Sequence, residues 1–474
     1  MLEKKDGCPG FFVSALRGGS GKTLITIGIT AALRALGKKT APFKKGPDYI
    51  DAGWLSLAAG RPCYNLDTYL IPENQVIQSY VNNTLNAGID IAVVEGNRGL
   101  YDGIDLDGKT STAETAKLLG LPVFLCLDCT KTTRTMAAAV LGCLHFDPEL
   151  TIGGVILNKV AGSRHRDNLA SNIEYHTGVP VLGSVPKLRS HDFPERHMGL
   201  VPTHEHLWAS VSIESAEKLV RENINLDQLL AIAHRETRSI SQEVYPLEIV
   251  NPSSETHTIK GPRIGVIKDA AFQFYYPENI EALENEGAEI IYTSPLSHAE
   301  FPNVDALYIG GGFPETHAKE LSENRVFRET IKALADKGFP IYAECGGLMY
   351  LGRELVIEGV NYPMTGIFPL SFGLSHKPQG HGYVVAEVSR ENPYFDVGSE
   401  VKGHEFRYSK IISWDNDIET ALTMKRGTGM ADKKDGALYK NVFACYTHIH
   451  ALGNPSWAKR FVNQARQYQL NTNP

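Results

Sequence analysis

Twice along this chain, apolar runs of strand length alternate with segments of helical period, and a polar stretch separates the two series. Continuous apolar runs suit strands buried on both faces, and a helix between successive runs supplies the crossover that parallel pairing needs. The first series reads GFFVSAL, TAPFK, IDIAVVEG, PVFLCLD, GGVILNKV and VPVLGSV, with helical segments such as TLITIGITAALRALG and STAETAKLLG between them. It closes on SIESAEKLVRENINLDQLLAIAHR. The second series is RIGVIKD, PENIEALENEG, AEIIYTS, VDALYIGGG and PIYAE. Residues 237–260, TRSISQEVYPLEIVNPSSETHTIK, lack periodicity, contain two prolines and read as a linker. A chain of 474 residues exceeds one ordinary core, so the expectation is two α/β domains, 1–236 and 261–474.

Residues 17–23, RGGSGKT, lie between the first strand and the helix beginning TLITIG. That is the setting of a phosphate-binding loop, so the first domain is expected to be a P-loop-type parallel sheet. Gly18, Gly19, Ser20 and Gly21 would wrap a polyphosphate with backbone amides, Lys22 would reach the β/γ-phosphates and the Thr23 hydroxyl would ligate Mg²⁺. Leu16 stands where the usual motif has its first glycine. Glu95 ends IAVVE at a strand C-terminus, where open parallel sheets bind ligands; it is either a second Mg²⁺ ligand or a cap for the next turn. Asn158, after GGVIL, either pairs with an adenine edge or forms a turn. KKGPDYID, residues 44–51, crowds Lys44, Lys45, Asp48 and Asp51 at a strand end. These side chains suit metal, phosphate or a carboxylate substrate, or a solvated loop.

In the second domain AECGG, residues 343–347, puts Cys345 where a strand turns into a helix. Free amides and the positive helix end favour a thiolate there. His448 and His450, after NVFACYT, are the candidate base and its orienting partner. Gly310, Gly311 and Gly312 after VDALYI, with Gly346, are candidate oxyanion-hole and glutamine-binding positions. The alternative is an inert buried Cys with unrelated histidines.

A net charge of −7 argues against a general nucleic-acid binder. No apolar stretch approaches the roughly 18 residues of a membrane span. MLEKKDGCPGFF lacks the h-region and cleavage site of a secretory signal, and seven scattered cysteines fit a reduced, cytoplasmic protein. Cys126 and Cys129 form a C-x-x-C without a second pair, inside what reads as a buried strand.

IGGGFPE, AECGGLMYL and YTHIH together resemble a class I glutamine amidotransferase domain, which is flavodoxin-like. KDAAFQFYYPEN, GHEFRYS, KKGPDYID, NLDTYL and EGNRGLYDG extend the resemblance to the cobyrinate a,c-diamide synthase family along nearly the whole chain; the first domain is similar to dethiobiotin synthetase. The resemblance implies that Cys345 and His448 hydrolyse L-glutamine. It further implies that MgATP phosphorylates an acetate side chain of a tetrapyrrole polycarboxylate, and that ammonia displaces the phosphate at the a and c positions. Thr23, Asp48 and Glu95 are then the expected metal ligands, and Lys44, Lys45, Asp51 and Arg98 the expected substrate residues. The amidotransferase class usually carries Glu two residues after the His; this chain has His450 there, and the resembled family lacks that Glu.

Cobyrinate is the first choice of substrate; sirohaem, nickel-sirohydrochlorin and hydrogenobyrinate are treated with the same chemistry by similar enzymes. A partition-type P-loop ATPase is the alternative of a different class, because RGGSGKT is near its loop, but residues 261–474 argue against it. Neither nucleic acid nor membrane is an expected partner. A homodimer is compatible with the sequence, which does not encode an oligomeric state.

Overall fold

The computed structural model describes residues 7–187, 195–196, 199–200, 209–239, 261–414 and 418–472. The chain forms two compact units, Met1–Glu248 and Ile249–Pro474. Of the expected linker, residues 240–260 lie outside the described residues. Thr237 and Arg238 belong with the first unit: Thr237 Oγ1 accepts from the Gly10 amide, and the Arg238 amide donates to the Gly120 carbonyl.

Among the described residues, the first unit is built on a seven-stranded sheet: β1 (Gly10–Ala15), β2 (Thr40–Lys45), β3 (Tyr64–Leu66), β4 (Ile91–Glu95), β5 (Val123–Asp128), β6 (Ile152–Val160) and β7 (Val181–Pro186). The order is β3-β2-β4-β1-β5-β6-β7, with every pair parallel. β1, β2 and β4 are buried along their whole length, as unbroken apolar runs require when helices cover both faces. Helix α1 (Lys22–Ala35) lies over the sheet, and its Ile25 and Ile29 share a core with Phe11, Val13, Phe124 and Val220. Helix α2 (Tyr49–Ala59) starts where the Asp48 side chain accepts from the Ile50 and Asp51 amides, and ends at Gly60 with φ of 68°.

The segment that closes the first series forms two helices, Ala209–Asn223 and Leu226–Glu236. Asn225 causes the break, because its side chain caps the second helix through the Gln228 amide. β3 was not among the expected strands; three residues are too few to show a period. Strand order reverses beside β1, so a crevice opens at the C-terminal ends of β1, β2, β4 and β5.

The second unit opens as a parallel sheet in the order Glu289–Thr293, Arg263–Ile267, Ala306–Ile309, Ile341–Glu344 and Val442–Cys445. It continues antiparallel through Lys434–Tyr439, Glu419–Arg426, Gly380–Val388, Glu400–Arg407 and His448–Ile449, giving ten strands among the described residues. A four-stranded sheet stands beside it. The strict strand–helix alternation expected after residue 261 therefore ends at the Gly346–Leu351 helix. Pairing of Glu400–Arg407 with His448–Ile449 returns the C-terminal histidines to the strand end that carries Cys345.

Candidate active sites

RGGSGKT connects β1 to α1, and Gly19 and Gly21 hold φ of 72° and 85°. Gly21 is obligatory on two counts: a Cβ there would lie 2.3 Å from Asn158 Nδ2 as well as in the left-handed region. Asn158, at the end of β6, donates through Nδ2 to the Ser20 carbonyl at 2.8 Å, while its Oδ1 accepts from the Lys159 amide at 2.9 Å. This amide braces the phosphate loop, a use that the adenine and turn readings both omitted. Cys126 Sγ meets the same Ser20 carbonyl at 3.5 Å. Cys126 and Cys129 are buried, and burial pushes both thiols up to about 12, which disfavours metal-binding thiolates. Lys159 Nζ ties the Gly19 carbonyl at 2.9 Å to Asp128 at 3.0 Å, fixing the loop from its other side.

Four chemically active side chains converge below this loop. β2 and β4 pair with Lys44 opposite Glu95. Lys44 Nζ lies 2.5 Å from Asp51 Oδ2 and 3.1 Å from Glu95 Oε1, with Lys44 and Glu95 both buried. Thr23 Oγ1 donates to Glu95 Oε1 at 2.6 Å and lies 3.4 Å from Asp51 Oδ2. Burial alone would lower the Lys44 pKa, but Asp51, Glu95 and Asp48 outweigh it and hold the ammonium charged. Burial, helped by Asp51 and resisted by Lys44, lifts Glu95 to about 7. Lys22 is buried, and that burial with repulsion from Lys44 lowers its pKa against the pull of Glu95 and Asp51.

Glu95 Oε2 is buried and accepts no hydrogen bond among the described residues. An orphaned carboxylate oxygen beside a P-loop threonine fits a cation held jointly with nucleotide phosphates. No group of three or more His, Cys, Asp or Glu side chains is placed to hold a metal unaided among the described residues. Of the expected ligands, Thr23 and Glu95 come together. Asp48 Oδ1 is engaged in capping α2, and Asp51, expected on the substrate side, takes the adjoining position. Lys44, also expected to meet substrate, is held by internal carboxylates. Lys45 is buried and donates to the Thr110 carbonyl, while Arg98 lies exposed in the loop after β4 with φ of 50°.

In the second unit Cys345 follows the Ile341–Glu344 strand and N-caps the Gly346–Leu351 helix. Its φ of 47° is strained for a residue with a side chain, a conformation costing about 1–3 kcal/mol that recurs at nucleophile elbows. His448 is buried, hydrogen-bonds to Cys345, and has Nδ1 3.3 Å from Glu344 Oε2. Burial opposes protonation of His448, but Cys345 and Glu344 override it and raise its pKa to about 10. The imidazolium is thus favoured beside the sulfur, the state in which a Cys–His pair is nucleophilic.

The glycines close around this pair. A Cβ on Gly311 would come 2.3 Å from His448 Cε1, and one on Gly312 would come 2.1 Å from the Ala271 carbonyl. Gly346 packs against Gly312, its Cβ position 3.1 Å from the Gly312 nitrogen. The Gly310 amide is already engaged by the Tyr275 hydroxyl at 2.7 Å, so it cannot serve an oxyanion in this arrangement.

Residues 11–201 match the CobQ/CobB/MinD/ParA nucleotide binding domain, and residues 263–456 match the CobB/CobQ-like glutamine amidotransferase domain. The cobyrinate a,c-diamide synthase of Magnetococcus marinus is 43% identical over 456 residues, covering 95% of this chain and 96% of its own. This chain belongs to the cobyrinate a,c-diamide synthase family. Proteins of the same name from Methanosarcina acetivorans (37% identical, 98% of this chain, 97% of theirs) and Listeria monocytogenes (39%, 93% and 96%) agree. Like other cobyrinate a,c-diamide synthase family members, it joins a nucleotide-binding domain to a glutamine-hydrolysing one and is a ligase of the amidotransferase type. No described helix is long and apolar enough to cross a membrane.

Two side chains of this family member were overlooked in the sequence. Glu344 faces His448, and His404 stacks on the His448 ring with centroids 4.9 Å apart and planes at 22°. His450, expected to orient the base, has Nδ1 accepting from the Leu452 amide and Nε2 3.6 Å from Glu278 Oε2. The signal for Glu344 was its place in AECGG, one residue before the nucleophile.

Proposed function

We propose that this protein converts cobyrinate to cobyrinate a,c-diamide, using ATP and L-glutamine in cobalamin biosynthesis. The near full-length likeness to enzymes of that name carries the substrate; the two buried constellations supply the chemistry. A carboxylate is a poor acyl donor. Its oxygen attacks the γ-phosphorus of ATP, ADP leaves, and ammonia then adds to the acyl carbon and expels phosphate. Lys22 draws in the phosphates, helped by the amides of Gly18, Gly19, Ser20 and Gly21. Thr23, Glu95 and Asp51 would hold Mg²⁺, which when bound neutralises charge on the transferring phosphoryl group. Lys45 and Arg98 are the cationic residues assigned to the substrate's carboxylates.

Ammonia comes from the second unit. The Cys345 sulfur attacks the glutamine side-chain carbonyl, His448 protonates the departing ammonia, and water hydrolyses the thioester to glutamate. The Gly311, Gly312 and Gly346 amides are assigned to the developing oxyanion. Seven free cysteines agree with action in the cytoplasm. Incubating the protein with ATP, glutamine and each of cobyrinate, hydrogenobyrinate, sirohaem and nickel-sirohydrochlorin, followed by mass spectrometry, tests the substrate. Two amide additions to cobyrinate are expected; amidation of another tetrapyrrole alone would overturn the assignment.

A further inference from the structure

The protein hydrolyses glutamine, in the reading above, without the acid that usually follows the catalytic His. The base must still be oriented, because an untethered imidazole samples ring positions and tautomers that cannot serve the sulfur. The residue two positions on, His450, is turned toward Leu452 and Glu278. Glu344 occupies the needed place from a different part of the chain.

We infer that Glu344 is the positioning residue for His448, standing in for the missing acid and acting from the residue before the nucleophile. Register explains how. Glu344 pairs with Cys445 across the parallel Ile341–Glu344 and Val442–Cys445 strands, three residues before His448. Its Oε2 lies 3.3 Å from His448 Nδ1, and its Oε1 accepts from the Tyr342 hydroxyl at 3.2 Å and the Ile449 amide at 3.4 Å. These contacts hold the fully buried carboxylate from both sides, so its direction is set before glutamine arrives. On the opposite side only a glycine fits beside the ring, because a Cβ at 311 would come 2.3 Å from His448 Cε1.

The groups around this pair define what titration will report. Cys345 and Glu344 face His448 directly. His404, from the Glu400–Arg407 strand, stacks on it and is kept neutral by burial, with His448 and His450 adding to the effect. Tyr342, Tyr308, Tyr275 and Cys445 lie within electrostatic reach of Glu344, each with its acid form favoured by burial. Glu344 is the carboxyl group that contacts the His448 ring directly.

The proposal rests on glutamine hydrolysis at Cys345, so Cys345→Ala is measured alongside: retained hydrolysis in that variant would remove the underlying reading and leave Glu344 without a role. In the full-length protein, Glu344→Gln should lower kcat for glutamine hydrolysis by about a hundredfold or more, with KM for glutamine changed less than about twofold. Amidation driven by ammonium salt should persist, which certifies the fold. Without the Glu344 charge His448 loses its proton at lower pH, so the alkaline limb of the kcat profile should move by about one unit toward acid. Glu344→Asp, which keeps the charge, should restore part of the limb. An unmoved limb, or a limb moved by His450→Asn and not by Glu344→Gln, would overturn the proposal. So would loss of ammonium-driven amidation, which would make Glu344 a structural acid.

Discussion

His448 Nδ1 lies 3.3 Å from Glu344 Oε2, and Glu344 immediately precedes Cys345 in the chain. One strand end thus supplies the sulfur and holds the base that faces it. The pair tolerates nothing larger than glycine at 311. Gly311→Ala puts a methyl carbon 2.3 Å from His448 Cε1, so the ring must shift. Displacements near 1 Å cost about a hundredfold at such sites, and that loss is expected in glutamate release. Ammonium-driven amidation should be unchanged.

Lys44 is the cation that offsets the buried Glu95 carboxylate and the half-buried Asp51 carboxylate in the first unit. Lys44→Met strands Asp51 and Glu95, 2.5 and 3.1 Å from the amine they lose. Breaking a buried pair in this way costs about 3–5 kcal/mol. Chemical unfolding of the variant should show that loss. Adding Glu95→Gln should recover part of it by removing one of the stranded charges.

Asp128 predicts an acid dependence. Burial raises its pKa, but hydrogen bonds from Thr130 and the Lys159 ion pair prevail and lower it from 3.8 to about 2. A carboxylate depressed on folding contributes stability at pH above 3.8, and the contribution disappears as pH falls toward 2. Thermal unfolding between pH 5 and pH 2 should therefore steepen in the parent relative to Asp128→Asn. Equal slopes would show that Asp128 is not linked to the fold.

Asn158 links the β6 end to the phosphate loop through the Ser20 carbonyl. Asn158→Ala should raise KM for ATP by about tenfold, the effect of one lost buried hydrogen bond of about 1–1.5 kcal/mol. Glutaminase turnover without tetrapyrrole should not follow it. An ATP KM unchanged within about twofold would remove the bracing role.

Much of this was legible in the chain. β1, β4 and β5 are buried on both faces, so GFFVSA, IAVVE and VFLCLD announced themselves as unbroken apolar runs. RGGSGKT and AECGG sit at strand–helix junctions because both need free helix amides. The antiparallel strands after Leu351 were not legible. Gly380–Val388 alternates buried and half-buried positions only from Val384 onward, and its first four residues show no such period. Glu344 escaped for another reason. A carboxylate facing a His 104 positions away is set by strand register, which local spacing does not encode. That Asp48 caps α2 while Asp51 lies beside Thr23 was not legible either, because capping and cation binding draw on the same residue type within one turn.

The central claim is that two separate sites divide the reaction, and a crossed nitrogen-donor assay tests it most directly. Cys345→Ser and Lys22→Ala are each assayed for tetrapyrrole amidation with glutamine and, separately, with concentrated ammonium salt. Serine keeps the elbow's size without the thiolate, so Cys345→Ser should lose glutamine-driven amidation and retain the ammonium-driven reaction. Lys22→Ala should fail with both donors, because the carboxylate is never phosphorylated. Full glutamine-driven activity in Cys345→Ser, or failure of that folded variant with ammonium, would contradict the account.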